Sequence, residues 1–89
     1  MRLTQLRDFV AVATHRSLRA AARELGIAQP SLTKSIQALE KELGASLFNR
    51  TSKGAELTSI GAAFLTRSHL IMEEMRRAKE EVRQLTESD

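Results

Sequence analysis

No cysteine occurs among the 89 residues, which excludes a disulfide framework and any cysteine-based zinc site. The two histidines, His15 and His69, stand too far apart to suggest a metal centre, so no cofactor is expected in this chain. Tryptophan and tyrosine are absent, and Phe9, Phe48 and Phe64 each fall inside an apolar pattern. A stacking platform for single-stranded nucleic acid therefore has no materials. Charged residues interrupt every apolar run before the ~20 residues a bilayer requires, and Met1-Arg2-Leu3 leads into no uninterrupted apolar region of the signal-peptide kind. No membrane partner and a cytoplasmic location are expected. The length fits one small domain with an appended helix and leaves no room for a multi-lobed enzyme.

What is present is an uneven charge distribution. Fourteen Lys and Arg against eleven Asp and Glu give +3 in total. Residues 1–57 carry nine basic and five acidic groups, whereas residues 58–89 carry five and six. The first part suits a polyanionic partner and the second does not.

With a single proline, four glycines and abundant Ala, Leu, Glu, Arg and Gln, the chain favours helix nearly throughout. Thr4 is a candidate cap for a first helix whose face reads Leu6, Phe9, Val10 and Ala13, ending near His15-Arg16. Ser17 caps a short second helix that runs through Leu25 and stops at Gly26. Pro30 fits a first helical turn, so Gln29-Pro30-Ser31 opens a third helix that buries Leu32, Ile36, Leu39 and Leu43 and ends at Gly44. Pro30, Lys34, Gln37 and Lys41 then lie on its opposite side, with Ser31 and Thr33 flanking and Gln29 at the tip. Two extended segments, 47–50 and 55–57, are joined by Thr51-Ser52-Lys53-Gly54 as a small hairpin. Thr58 caps a long helix to about Leu85, in which Phe64, Ser68, Ile71, Met75, Ala78, Val82 and Leu85 follow the alternating spacing of a coiled-coil seam. Leu65 and Met72 form a second stripe. The expected fold is mainly α: three helices and a two-stranded wing over residues 1–57, then a dimerisation helix and frayed tail over residues 58–89.

Two helices joined by a tight glycine-containing turn make a helix-turn-helix, with Ala22 small at the helix crossing, Gly26 in the turn, and Ile27 and Leu32 locking the second helix to the first. A basic hairpin behind it makes a winged helix-turn-helix. Ser17-Leu18-Arg19-Ala20-Ala21-Ala22-Arg23-Glu24-Leu25, Ala28-Gln29-Pro30-Ser31-Leu32-Thr33-Lys34-Ser35-Ile36, Leu39-Glu40-Lys41-Glu42-Leu43-Gly44, Leu47-Phe48-Asn49-Arg50 and Leu57-Thr58-Ser59-Ile60-Gly61 occur in that order. Together they resemble the N-terminal DNA-binding domain and linker helix of LysR-type transcriptional regulators.

The resemblance implies a homodimer on pseudo-palindromic double-stranded DNA, with a tetramer open in a longer protein. It also implies a small-molecule effector bound by a C-terminal domain absent from these residues, so that the chain looks like the DNA-binding end of a longer regulator. By resemblance Gln29, Pro30, Ser31, Thr33 and Lys34 match groove-reading positions, and Arg50 and Lys53 match the wing. Their chemistry agrees: Gln29 suits adenine, Pro30 and Leu32 suit a thymine methyl, and Lys34 suits guanine acceptors or a phosphate. Ser17, Arg19, Gln37 and Ser52 complete the expected DNA-facing set, with Arg19 as an added phosphate contact where the family commonly has a small hydroxyl residue. Ser17, Ser31 and Thr33 lack a base at plausible spacing, so catalysis is not expected. The alternative reading is a winged-helix protein-interaction module with no DNA role.

Overall fold

The computed structural model describes residues 1–51 and 54–88, and of Arg50 the backbone alone. Its elements are α1 (Leu3–His15), α2 (Leu18–Leu25), α3 (Gln29–Leu43), β1 (Phe48–Thr51), β2 (Gly54–Leu57) and α4 (Ser59–Glu87). This is the mainly helical winged fold expected from the sequence. The strands pair antiparallel, with Phe48 opposite Leu57 and Thr51 opposite Gly54.

Local chemistry accounts for most boundaries. The Ser17 Oγ accepts the Ala20 N–H at 3.0 Å, which caps α2. Thr58 does the same for α4, accepting the Gly61 N–H at 2.9 Å, and its hydroxyl donates to the Ser46 carbonyl at 2.7 Å. One side chain thus starts α4 and ties it to the segment before the wing. Gly26 and Gly44 end α2 and α3. At α1 the expected cap is corrected: the helix begins at Leu3, and Thr4 lies inside its first turn. Gln5 replaces it, its Oε1 accepting the Arg2 N–H at 2.7 Å.

The core is one cluster. Phe9, Val12, Ala21, Ala22, Leu32, Ile36, Leu39, Leu47 and Ala55 are buried together, so α1, α2, α3 and the wing share it. Phe9 is its hub, with the Phe48 and Phe64 ring centroids at 5.3 Å and 5.1 Å. Phe64 and Leu65 pack against the cluster, which therefore extends into the first turns of α4. Leu43 departs from expectation: in the last turn of α3 it is exposed, since the core beneath that helix ends at Leu39.

Two glycines hold the layers close. Gly54 is a strand residue with φ +114°, and a Cβ there would collide with the Arg16 carbonyl. That same carbonyl accepts the Ala55 N–H at 3.1 Å, pinning the wing to the junction between α1 and α2. Gly54 thus serves a close backbone approach beyond the turn itself, whose residues 52 and 53 lie outside the described ones. Gly61 is buried where a Cβ would overlap the Leu47 carbonyl, so α4 crosses the start of the wing at backbone distance.

Candidate nucleic-acid interface

The helix α3 is held by one face and free on the other. Leu32, Ile36 and Leu39 anchor it in the core. Gln29, Pro30, Ser31, Lys34 and Gln37 are exposed and Thr33 is half-buried. Gln29, Pro30, Thr33, Lys34 and Gln37 line one open trough along the helix. The amide side chains and the ammonium are thereby presented outward from a rigid base, which base reading requires. Leu32 does not join them. It is 0% exposed, and the expected thymine-methyl contact is corrected: the spacing that makes Leu32 a core anchor turns it away from the trough.

A second cleft runs between the start of α2, the tip of α3 and the wing, lined by Ser17, Leu18, Arg19, Gln29, Thr51, Gly54 and Ala55. Arg19 is exposed and joins no ion pair among the described residues. Its guanidinium is available to an anion. Ser17 is half-buried, and its oxygen accepts the Ala20 N–H as the α2 cap. Ser52, Lys53 and the Arg50 side chain, expected on the wing, lie outside the described residues.

Two contributors escaped the sequence reading. Glu40 is half-buried on α3, and its Oε2 accepts the Leu47 N–H at 2.7 Å and the Phe48 N–H at 3.4 Å. It fixes the first residues of the wing to α3. Arg2, Thr4 and Gln5 at the start of α1 line a groove with Ser31, Lys34 and Ser35 of α3, which brings an exposed Arg2 beside the trough. Neither relation follows a helical or strand spacing: Glu40 reaches forward past the Gly44 end of α3 to Leu47 and Phe48, and Arg2 meets α3 from across the domain.

On α4 the expected seam divides. Phe64 packs on Phe9, and Ser68 is 0% exposed with its Oγ donating to the Phe64 carbonyl at 2.8 Å. Ser68 is thus covered by the chain's own domain, which corrects its assignment to a dimer face, whereas Phe64 is half-buried against the core. Ile71, Met75, Ala78, Val82 and Leu85 remain exposed, the last two at 64% and 65%. Ile60 and Leu70, absent from the expected seam, are exposed at 55% and 58%. A straight helix drifts by ~20° per heptad, so a strip that starts on the domain side at Phe64 turns outward towards Leu85. On the far side of α4, Arg76 holds Glu73 at 2.8 Å, and Arg83 pairs with Glu80 and Glu87. The hydrogen bonds from Arg76 and Arg83 lower the carboxyl pKa values of Glu73 and Glu80. The side of the helix that carries Glu73, Arg76, Glu80 and Arg83 is thus neutralised within the helix itself.

No helix among the described residues is long and apolar enough to cross a membrane, and no group of potential metal ligands assembles among them. Residues 3–62 match the model of the bacterial regulatory helix-turn-helix proteins, lysR family. The HTH-type transcriptional regulator ClcR of Pseudomonas putida is 54% identical over 65 residues, covering 73% of this chain and 22% of ClcR. TfdT of Cupriavidus pinatubonensis, likewise an HTH-type transcriptional regulator, is 51% identical over 65 residues, 73% of this chain and 28% of its own. The chain therefore spans only about a quarter of the length of these curated relatives. Among solved structures, the DNA-binding domain of BenM in complex with catB site 1 DNA superposes with a TM-score of 0.93 at 35% identity, covering 97% of each chain. The CbnR DNA-binding domain in complex with DNA gives 0.89 at 40% identity, covering 97% of this chain and 99% of its own. The chain belongs to the lysR family of bacterial regulatory helix-turn-helix proteins.

Proposed function

We propose that this chain binds double-stranded DNA sequence-specifically as a homodimer and thereby regulates transcription initiation. Residues 29–43 enter the major groove, and residues 50–54 of the wing lie on the backbone or minor groove beside it. The carrying observation is the trough of outward-facing Gln29, Pro30, Thr33, Lys34 and Gln37 on a helix whose other face is locked in the core. The complexes of the BenM and CbnR DNA-binding domains with DNA support the same reading. Arg19, in the adjoining cleft, supplies a sequence-independent phosphate contact. Lys34 presents a compact ammonium, suited to one acceptor at a time and not to the forked contact of arginine.

Sequences selected by this chain from a random duplex pool provide the ligand for the test. Gln29→Ala lowers affinity for the selected duplex by about 1–3 kcal/mol and leaves random duplex binding nearly unchanged. Equal loss on both duplexes contradicts base reading by Gln29. Arg19→Ala weakens both duplexes alike and reduces the dependence of log affinity on log salt by about one unit. An unchanged slope removes Arg19 from the phosphate contacts.

Homodimerisation follows from the outward apolar face of α4, which the other described residues leave uncovered. Ile71→Asp places a carboxylate in that face without touching the core. In sedimentation its mass falls towards that of a monomer, whereas an unchanged dimer mass places the interface elsewhere.

A further inference from the structure

The wing is too small to hold its own direction. It consists of two short strands, Phe48–Thr51 and Gly54–Leu57, and an isolated two-stranded hairpin is marginally stable at best. Where it points is therefore set by what grips each strand. β2 is gripped by the Arg16 carbonyl, which accepts the Ala55 N–H at 3.1 Å. β1 is gripped by Glu40 of α3.

Around Glu40 the chain turns from α3 into the wing. Its backbone carbonyl accepts the Ala45 N–H at 3.2 Å beside the Gly44 cap, and its Oε2 accepts the Leu47 and Phe48 N–H groups at 2.7 Å and 3.4 Å. Leu47 is held from its other side as well: its side chain is buried and its carbonyl accepts the Thr58 N–H at 3.0 Å. Phe48, the first residue of β1, follows it with its ring centroid 5.3 Å from that of Phe9. Glu40 joins no ion pair among the described residues. A carboxylate on the helix that carries Lys34 weakens the positive field a phosphate backbone seeks, so attraction to DNA does not account for it. Its capacity is spent on amides, to which a charged acceptor makes the stronger hydrogen bond.

We propose that Glu40 is a positioning residue for DNA binding: by fixing the Leu47 and Phe48 amides it sets the wing, with its Arg50 and Lys53, at the phosphate backbone while α3 occupies the groove. Arg50 follows Phe48 by two residues on β1, at ~3.3 Å per residue, so a shift at the gripped end is carried to the cation. Helix and wing then engage as one preorganised surface, and less conformational freedom is lost on binding. The inference rests on the DNA-binding reading above and adds the residue that couples its two halves.

Two neutral replacements separate the acceptor from the charge. Glu40→Gln keeps an oxygen on a side chain of equal length, and Glu40→Met keeps the length and the helix propensity alone. Anisotropy titrations with a selected duplex at several salt concentrations compare them in the otherwise wild-type chain and in a chain that also carries Arg50→Ala and Lys53→Ala, as a double-mutant cycle. In the first, Glu40→Met binds about tenfold more weakly than Glu40→Gln at ~0.1 M salt, with a salt slope smaller by about one unit, the signature of a lost phosphate contact. In the second, the two bind alike, because the wing no longer has a cation to misplace. Stoichiometric titration fixes the fraction of competent protein, so lowered stability does not mimic the result. Glu40→Asp, which keeps the charge and withdraws the oxygen by one methylene, shows the same loss against the wild type and replaces Glu40→Met should that variant not fold. Equal slopes in the wild-type background, or a difference that persists without Arg50 and Lys53, overturn the positioning role while DNA binding stands. So does an Arg50→Ala, Lys53→Ala chain that binds as the wild type does. A wild-type chain without affinity for duplex DNA overturns both readings.

Discussion

Leu32→Ala costs about 2–5 kcal/mol of folding stability, because the side chain is fully enclosed and its removal leaves a cavity that the neighbouring Ile36 and Leu39 only partly fill. Against the ~5–15 kcal/mol of a typical small domain this is a large fraction, and thermal unfolding followed by circular dichroism reads it as a strongly lowered Tm. Leu32→Met conserves volume and costs less than about 1.5 kcal/mol. It also keeps the discrimination between selected and random duplex, because position 32 reads nothing in the groove. Loss of discrimination in a folded Leu32→Met protein would restore Leu32 to the base-reading residues.

Gly61→Ala has the second large effect, and its sign opposes helix propensity. In an exposed helix interior the change gains roughly 0.8–1 kcal/mol. Here the added Cβ overlaps the Leu47 carbonyl, a backbone atom that already accepts the Thr58 N–H at 3.0 Å and has little room to move. The overpacking outweighs the propensity gain, for a loss of about 1–3 kcal/mol in chemical denaturation. Because Thr58 and Gly61 set where α4 leaves the domain, in the proposed homodimer the displacement also changes the angle at which each copy presents α3. A stabilised Gly61→Ala protein would show that α4 crosses the wing less closely than described.

The parts of this fold written in local chemistry were legible in the sequence. Ser17 and Thr58 cap the helices expected of them because the hydroxyl and the amide it satisfies are three residues apart. The outward residues of α3 followed from a period of ~3.6 around Leu32, Ile36 and Leu39. The same periodicity places Leu32 inside, and its assignment to both the core and the groove was a conflict that geometry decides for the core. Gly61, Glu40 and Arg2 were illegible for another reason. Each matters through a residue brought near by tertiary folding: the Leu47 carbonyl, the Leu47 and Phe48 amides, and the Ser31–Lys34 face.

The seam on α4 departs from expectation at Ser68 through that same distinction. A repeating apolar spacing states that a helix has a buried strip, but not which neighbour buries it. At Phe64 the neighbour is α1 of the same chain, through Phe9, whereas Met75, Val82 and Leu85 stay exposed among the described residues. The charge division follows the same geometry. Unpaired cations gather around α3 and the cleft beside it, whereas on α4 the ionic side is neutralised within the helix by Arg76 and Arg83. The net charge of +3 therefore understates the field at the groove-facing side.

The proposed function requires that the exposed side of α3 read bases while the cations around it hold phosphates. Fluorescence anisotropy of a labelled selected duplex and a scrambled duplex of equal length, titrated with this chain at two salt concentrations, tests it most directly. Both affinities fall as salt rises, and the selected duplex stays tighter at each salt by roughly 10³-fold or more. Affinities that are salt-independent, or equal for the two duplexes, contradict it.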